Sequence, residues 1–189
     1  MPNDTRARMI EAAVGELQQR GVAGMSFTDV LASSGAARGA IYHHFPGGKA
    51  QLVAEAAEAN GHQIREHIAL LHAASPTAVV RAFVEAIRPV VAASARGGGC
   101  AVAAVTVDSD VDQDHLRQVA ASAFASWTDQ LAKHLRSAGM NRRTAIDLAH
   151  MMITILEGAH VLCRAAGNTE PFEHAVSSLT ALMRNCQSR

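Results

Sequence analysis

The sequence has little cysteine, no charge imbalance and no long apolar run, and each absence removes a class of protein. Its three cysteines, Cys100, Cys163 and Cys186, are scattered and odd in number. A disulfide framework is therefore not expected, and a reducing cytoplasm fits. Seventeen basic residues balance seventeen acidic ones. Charge alone does not suggest a nucleic-acid partner. Residues 1–50 carry five basic groups against four acidic, and the remainder carries twelve against thirteen, so the asymmetry has the right sign but is small. No apolar stretch approaches the ~20 residues that a membrane span needs. The start, Met1-Pro2-Asn3-Asp4, opens into an amphipathic segment and lacks the core of a signal peptide. Runs of β-branched residues are short and alanine dominates, which favours helix over sheet.

What remains is an all-α chain with 49% apolar residues, enough to build a core. A first helix is expected from Thr5 to Arg20, with Met9, Ile10, Ala13, Val14 and Leu17 on one face and Gly21 behind it. Ser26-Phe27-Thr28-Asp29 has the form of a capping box and starts a short second helix whose buried residues are Val30 and Leu31. Ser34-Gly35-Ala36 makes a tight turn. A third short helix runs from Arg38 to Phe45 and is stopped by Pro46-Gly47-Gly48.

Longer helices follow, at Lys49–Ala74 with Gly61 as a weak point, and at Thr77–Ala95 with Pro89 bending or ending it early. Cys100–Val107 is read as helix, because a lone strand would have no partner. Asp112–Ser137, Arg142–Ala166 and Pro171–Cys186 complete the series. The change from short to long helices places a boundary near residue 47, giving domains 1–47 and 48–189.

Two short helices joined by a glycine turn after a longer one form the helix-turn-helix signature, whose later helix lies in the DNA major groove. In Arg38-Gly39-Ala40-Ile41-Tyr42-His43-His44-Phe45, Ile41 and Phe45 are four apart and anchor the inner face. Arg38, Tyr42 and His43 then point outward beside the small Gly39 and Ala40. Arginine suits bidentate contact with guanine, and tyrosine and histidine suit phosphate oxygens.

These residues, together with Met25-Ser26-Phe27-Thr28-Asp29-Val30, Gly35-Ala36-Ala37, Lys49 and Leu52, resemble the DNA-binding domain of the TetR family over about the first quarter of the chain. The resemblance implies that Arg38, Gly39, Ala40 and Tyr42 face bases or the groove floor. It places Ser26, His43, His44 and Lys49 on phosphates, and Thr28 in the same DNA-binding set. The chain departs from the family at Ala37, where a capping Ser or Thr is usual, and at Pro46-Gly47-Gly48, which is longer than the common linker.

Looser stretches, Gly99-Cys100-Ala101-Val102-Ala103, Leu156-Glu157-Gly158-Ala159 and Pro171-Phe172, resemble the multidrug-efflux regulators within that family. They imply a homodimer through the last two long helices, with Glu157, Gly158, Ala159, Leu162, Val176, Leu179 and Met183 at the interface. They also imply a pseudo-palindromic operator on double-stranded DNA and release by a small, largely apolar effector. Phe83, Trp127, Met151, Met152 and Ile155 are the candidates to line its pocket, against the plainer expectation of core packing.

Other readings are weaker. Asp108, Asp110, Asp112 and Asp114 alternate like a calcium loop, but Gln113 stands where its glycine should be and Val119 where its glutamate should be. His62, His67 and His72 recur every five residues and drift around a helix, so no metal or cofactor is expected. Gly97-Gly98-Gly99-Cys100 lacks the Lys-Ser/Thr of a phosphate loop and reads as a linker. With no acid–base constellation, an enzyme is not expected. The alternative to a DNA-binding repressor is a helical ligand-binding protein or enzyme on the same fold without operator binding.

Overall fold

The computed structural model describes residues 2–107 and 114–187, with side chains for 4–107 and 114–184. These residues form α1 (Pro2–Gly24), α2 (Phe27–Ser34), α3 (Ala40–His44), α4 (Gly48–Ala69), α5 (Pro76–Ser94), α6 (Ala101–Val107), α7 (Asp114–Ser137), α8 (Arg142–Ala166) and α9 (Glu170–Gln187). Asp108, Asp110, Asp112, Gln113 and the side chain of Cys186 lie outside the described residues.

The helices sort into two compact units, one of residues 1–63 with 99–123, the other of residues 64–98 with 124–189. In the first, α1 packs on α2 and on α6. Met9, Ala13 and Leu17 are buried, while Ile10 and Val14 are half-buried on the flanks of that stripe. Gly21 interrupts the helical backbone (φ 69°, ψ −175°), and one more turn follows to Gly24. Helix α4 runs unbroken through Gly61. A β-carbon there would meet the Ala123 β-carbon at 2.9 Å, so glycine is what lets α4 and α7 approach at that point.

In the second unit, α5 packs on α8 and α9, and α8 on α9. The Ser75 hydroxyl caps α5 by accepting from the Ala78 N–H at 3.3 Å. Pro89 does not end α5, which continues to Ser94. Both Pro89 and Glu85 are exposed, so water can serve the carbonyl that the missing N–H leaves open. Arg88 pairs with Glu85 and with Glu173 of α9, and its guanidinium lies 5.5 Å from the Phe172 ring centroid. Asn141 caps α8, accepting from the Thr144 N–H at 3.0 Å.

By length and composition α8 is apolar enough to cross a membrane, which corrects the expectation that no stretch comes near it. Its apolar residues instead serve a packed face. Ala145, Leu148, Ala149, Met152, Ile153, Leu156, Ala159 and Cys163 recur every three or four positions and are buried.

Of the boundaries that differ from expectation, two have a local cause. Helix α4 stops at Ala69 rather than Ala74, tightening through a Leu71 N–H bond to the Ile68 carbonyl at 3.1 Å. Helix α3 starts at Ala40 rather than Arg38, because Arg38 and Gly39 form a turn closed by the Ala40 N–H on the Ala37 carbonyl at 2.9 Å.

Candidate nucleic-acid interface

Helix α2 begins where its sequence gives it a cap. The Ser26 hydroxyl accepts from the Asp29 N–H at 3.1 Å and donates to Asp29 Oδ2 at 2.7 Å. The same carboxylate oxygen takes Arg20 Nη1 at 2.7 Å. The Ser26 hydroxyl proton is thus already used inside the motif. Gly35 ends α2 in the left-handed region (φ 66°), a position that a side chain would strain.

The turn from Ala36 delivers α3 with one face inward. Ile41 and Phe45 are 2% and 0% exposed, and Val30 of α2 is fully buried. Leu31, expected in the core, is half-buried. Outward stand Arg38, Gly39, His43 and Tyr42, the last 67% exposed, with Ala40 and His44 half-buried. Thr28 is exposed and Ser26 half-buried on the α2 side. The Tyr42 ring stands edge-on to Phe27, with centroids 6.0 Å apart and planes at 90°. Between α2 and α3 lies a shallow cavity of about 510 Å³, lined by Phe27, Thr28, Leu31, Ala32, Ala36, Arg38, Ile41 and Tyr42. Its rim therefore carries a guanidinium, a phenol and a hydroxyl, all able to donate to phosphate or base edges.

The Pro46-Gly47-Gly48 linker is ordered by bonds rather than by length. The Gly48 N–H bonds to the Phe45 carbonyl at 2.9 Å, and Gly48 adopts φ 68°. The Gly47 N–H bonds to Gln51 Oε1 at 2.7 Å. Lys49 follows in the first turn of α4, half-buried. Gln51 Nε2 donates to Glu55 Oε1 at 3.0 Å, and the other oxygen of Glu55 pairs with Arg6. The Arg6 guanidinium also lies 5.1 Å from the Phe45 ring centroid. Arg6, Gln51 and Glu55 were invisible to motif reading, since Arg6 and Glu55 are 49 positions apart.

The candidate pocket residues all fall in the second unit. Phe83, Trp127 and Met152 are buried, while Met151 and Ile155 are half-buried. Trp127 meets Phe124 edge-on at 5.0 Å. The candidate dimer residues divide. Ala159, Leu179 and Met183 are buried within one chain, because they lie on the faces that α8 and α9 turn inward. Glu157, Gly158 and Val176 are half-buried, and Leu162 is 57% exposed beside the exposed Val161.

A further buried polar pair escaped the sequence reading. Ser94 Oγ lies 2.6 Å from His160 Nδ1, and both residues are buried. Burial lowers the His160 pKa from 6.5 to about 4. The pair has the composition of a nucleophile and base, but Ser94 is 1% exposed and out of reach of substrate.

Comparison with known proteins bears on both halves of the chain. Residues 9–56 match the model of the bacterial regulatory proteins of the tetR family, and residues 76–178 match that of the LmrA/YxaF-like transcriptional regulator C-terminal domain. An HTH-type transcriptional regulator of Mycobacterium tuberculosis is 33% identical over 175 residues, covering 89% of this chain and 88% of the relative. The HTH-type transcriptional regulator LmrA of Bacillus subtilis is 26% identical, covering 96% and 97%. The crystal structure of a TetR transcriptional regulator from Chloroflexus aurantiacus shares the fold, with a TM-score of 0.79 at 24% identity and coverage of 97% and 96%. The helix-turn-helix and the helical remainder thus agree, and the chain belongs to the TetR family of DNA-binding transcriptional regulators, which are not enzymes.

Proposed function

We propose that the protein is a homodimeric, cytoplasmic repressor that leaves a pseudo-palindromic operator when a small, largely apolar effector binds. Residues 1–47 bind DNA, and residues 48–189 hold the effector and the partner. The observation that carries the reading is the two-sided build of α3. Ile41 and Phe45 lock its inner face, and Tyr42 and His43, with Arg38 in the turn before them, are exposed on the other. As the recognition helix, α3 sets Arg38 and Tyr42 against base edges beside Gly39 and Ala40. Thr28, His43, His44 and Lys49 hold the backbone, and Ser26 joins them when its hydroxyl proton turns from Asp29 to a phosphate.

Dimerisation uses α8 and α9. The face keeps Glu157, Gly158, Leu162 and Val176 and adds the exposed Val161 and Leu182. Two copies then present recognition helices roughly 34 Å apart, one DNA turn. The effector sits among Phe83, Trp127, Met151, Met152 and Ile155, and it acts by preferring one spacing of the two recognition helices.

The test is a mobility shift on the DNA upstream of the protein's own gene, at two salt concentrations. Binding weakens steeply with salt, since phosphate contacts release counterions. Arg38→Ala lowers discrimination between sequences by about 1–3 kcal/mol, and Lys49→Ala weakens all sequences similarly. Binding that neither substitution alters rules out α3 as the reading element.

A further inference from the structure

Helix α3 has only five residues, and its N-cap, Gly39, offers no side-chain bond. One turn of helix does not sustain itself, because nucleation costs more than a single hydrogen bond returns. Its direction must therefore be set at its ends. At the C-terminal end the structure supplies an assembly that is centred on one carboxylate. Glu55 takes Arg6 on one oxygen and the Gln51 amide on the other. Each partner then reaches the end of α3. Arg6 covers the ring of Phe45, the C-cap of α3, while Gln51 Oε1 holds the Gly47 N–H two residues on.

The donors and acceptors leave one arrangement. Glu55 accepts only, so Gln51 must turn its NH₂ to it, and that turns the amide oxygen to the Gly47 N–H. A charge on Glu55 thereby fixes the linker that follows α3 as well as the side chain that ends it. We propose that Glu55, acting through Gln51 and Arg6, is the positioning residue of the recognition helix. It touches no DNA, and it sets the angle at which Arg38 and Tyr42 are presented. The inference rests on α3 being the reading helix.

Glu55 and Arg6 have side chains 23% and 38% exposed, so water can solvate either one when the other is lost. Folding then survives, and the effect falls on α3. The Glu55→Gln variant keeps the size of the side chain, removes the charge and lets the Gln51 amide turn over.

The experiment first selects a preferred duplex from random DNA with the wild-type protein. Affinity for that duplex and for an unrelated duplex of equal length is then measured at one salt concentration, alongside the melting temperature. Glu55→Gln is expected to weaken the preferred duplex about tenfold, the worth of one charge-assisted hydrogen bond. The unrelated duplex and the melting temperature stay close to wild type. Arg6→Met does the same, Arg6→Lys falls between, and the Arg6→Met/Glu55→Gln double variant is no worse than the worse single.

Equal losses on both duplexes, or a loss that tracks the melting temperature, assign Glu55 a merely structural role and overturn the proposal. So do additive effects in the double variant. Arg38→Ala separates the two readings. If it abolishes the preference and Glu55→Gln leaves the preference at the wild-type level, the positioning role fails alone. If Arg38→Ala leaves the preference intact, or no preferred duplex emerges, the reading by α3 fails and takes this proposal with it.

Discussion

Helix α3 spans Ala40–His44 and helix α8 spans Arg142–Ala166, and the two are stabilised in different ways. In α8 the buried positions run the whole length, from Ala145 to Cys163, and caps close both ends at Asn141 and Gly167. Its stability is its own packing. In α3, Ile41 is the buried residue, and support comes from outside, through Phe45, Gly47, Gln51, Glu55 and Arg6. The contrast teaches that a helix built to be read by another molecule keeps most of its surface free, and so borrows its orientation from neighbours. Changes in the second unit should then appear as lost stability. Changes around α3 should appear in DNA binding first.

The largest expected effect lies in the second unit. Trp127 is fully buried and meets Phe124 edge-on. Trp127→Ala removes the largest buried side chain of the chain and is expected to destabilise by about 3–5 kcal/mol. Urea denaturation followed by circular dichroism measures it. A loss below about 1 kcal/mol would mean that Trp127 borders a space which the chain can collapse or already leaves open, so that the effector pocket is open before the effector binds.

The buried His160 gives the next effect, again in the second unit. Its folded pKa of about 4 lies below the unfolded value of 6.5. Between those values the unfolded chain holds a proton that the folded chain does not, so acid favours unfolding. The contribution of neutral His160 is complete above pH 6.5 and is lost as the pH falls towards 4, by on the order of 3 kcal/mol. Stability measured in urea from pH 7.5 down to pH 4 is expected to fall more steeply for the wild type than for His160→Gln. Parallel curves would show that His160 finds a partner for its charged form.

How much of this contrast could be read in advance follows from the kind of signal each region carries. The first region is punctuated. Gly35 and Pro46 mark the ends of α2 and α3, Ser26 marks a start, and the four-residue step from Ile41 to Phe45 fixes the inner face. Local chemistry of that kind survives in a sequence. The support of α3 does not, because Arg6 and Glu55 meet only after α1 and α4 have folded together.

In the second region periodicity gave α8 to the residue, since Asn141 and Gly167 cap it. It could not say against what a buried face is buried. Leu179 and Met183 were expected at a partner's surface and are buried in their own chain. Helices α5 and α4 run through Pro89 and Gly61 for a related reason. What a breaker residue does depends on whether water or a neighbouring helix stands beside it, and composition carries no record of that.

The smallest effect tests the uncapped end of α3. The Ala40 N–H is held by the Ala37 carbonyl alone, at 2.9 Å, and Ala37 is exposed. A hydroxyl at that position would stand two and three residues before the Gly39 and Ala40 N–H groups, the spacing at which a capping side chain accepts. Ala37→Ser is therefore expected to stabilise by up to about 1 kcal/mol and to tighten operator binding, with the melting temperature rising slightly. The gain in binding should exceed the gain in stability, since α3 contributes little to the core and much to the reading surface. An equal gain in both would place α3 on the same footing as α8. A serine that weakens binding would show that the turn at Arg38 and Gly39 must open when DNA is engaged, so that the missing cap is what keeps it able to do so.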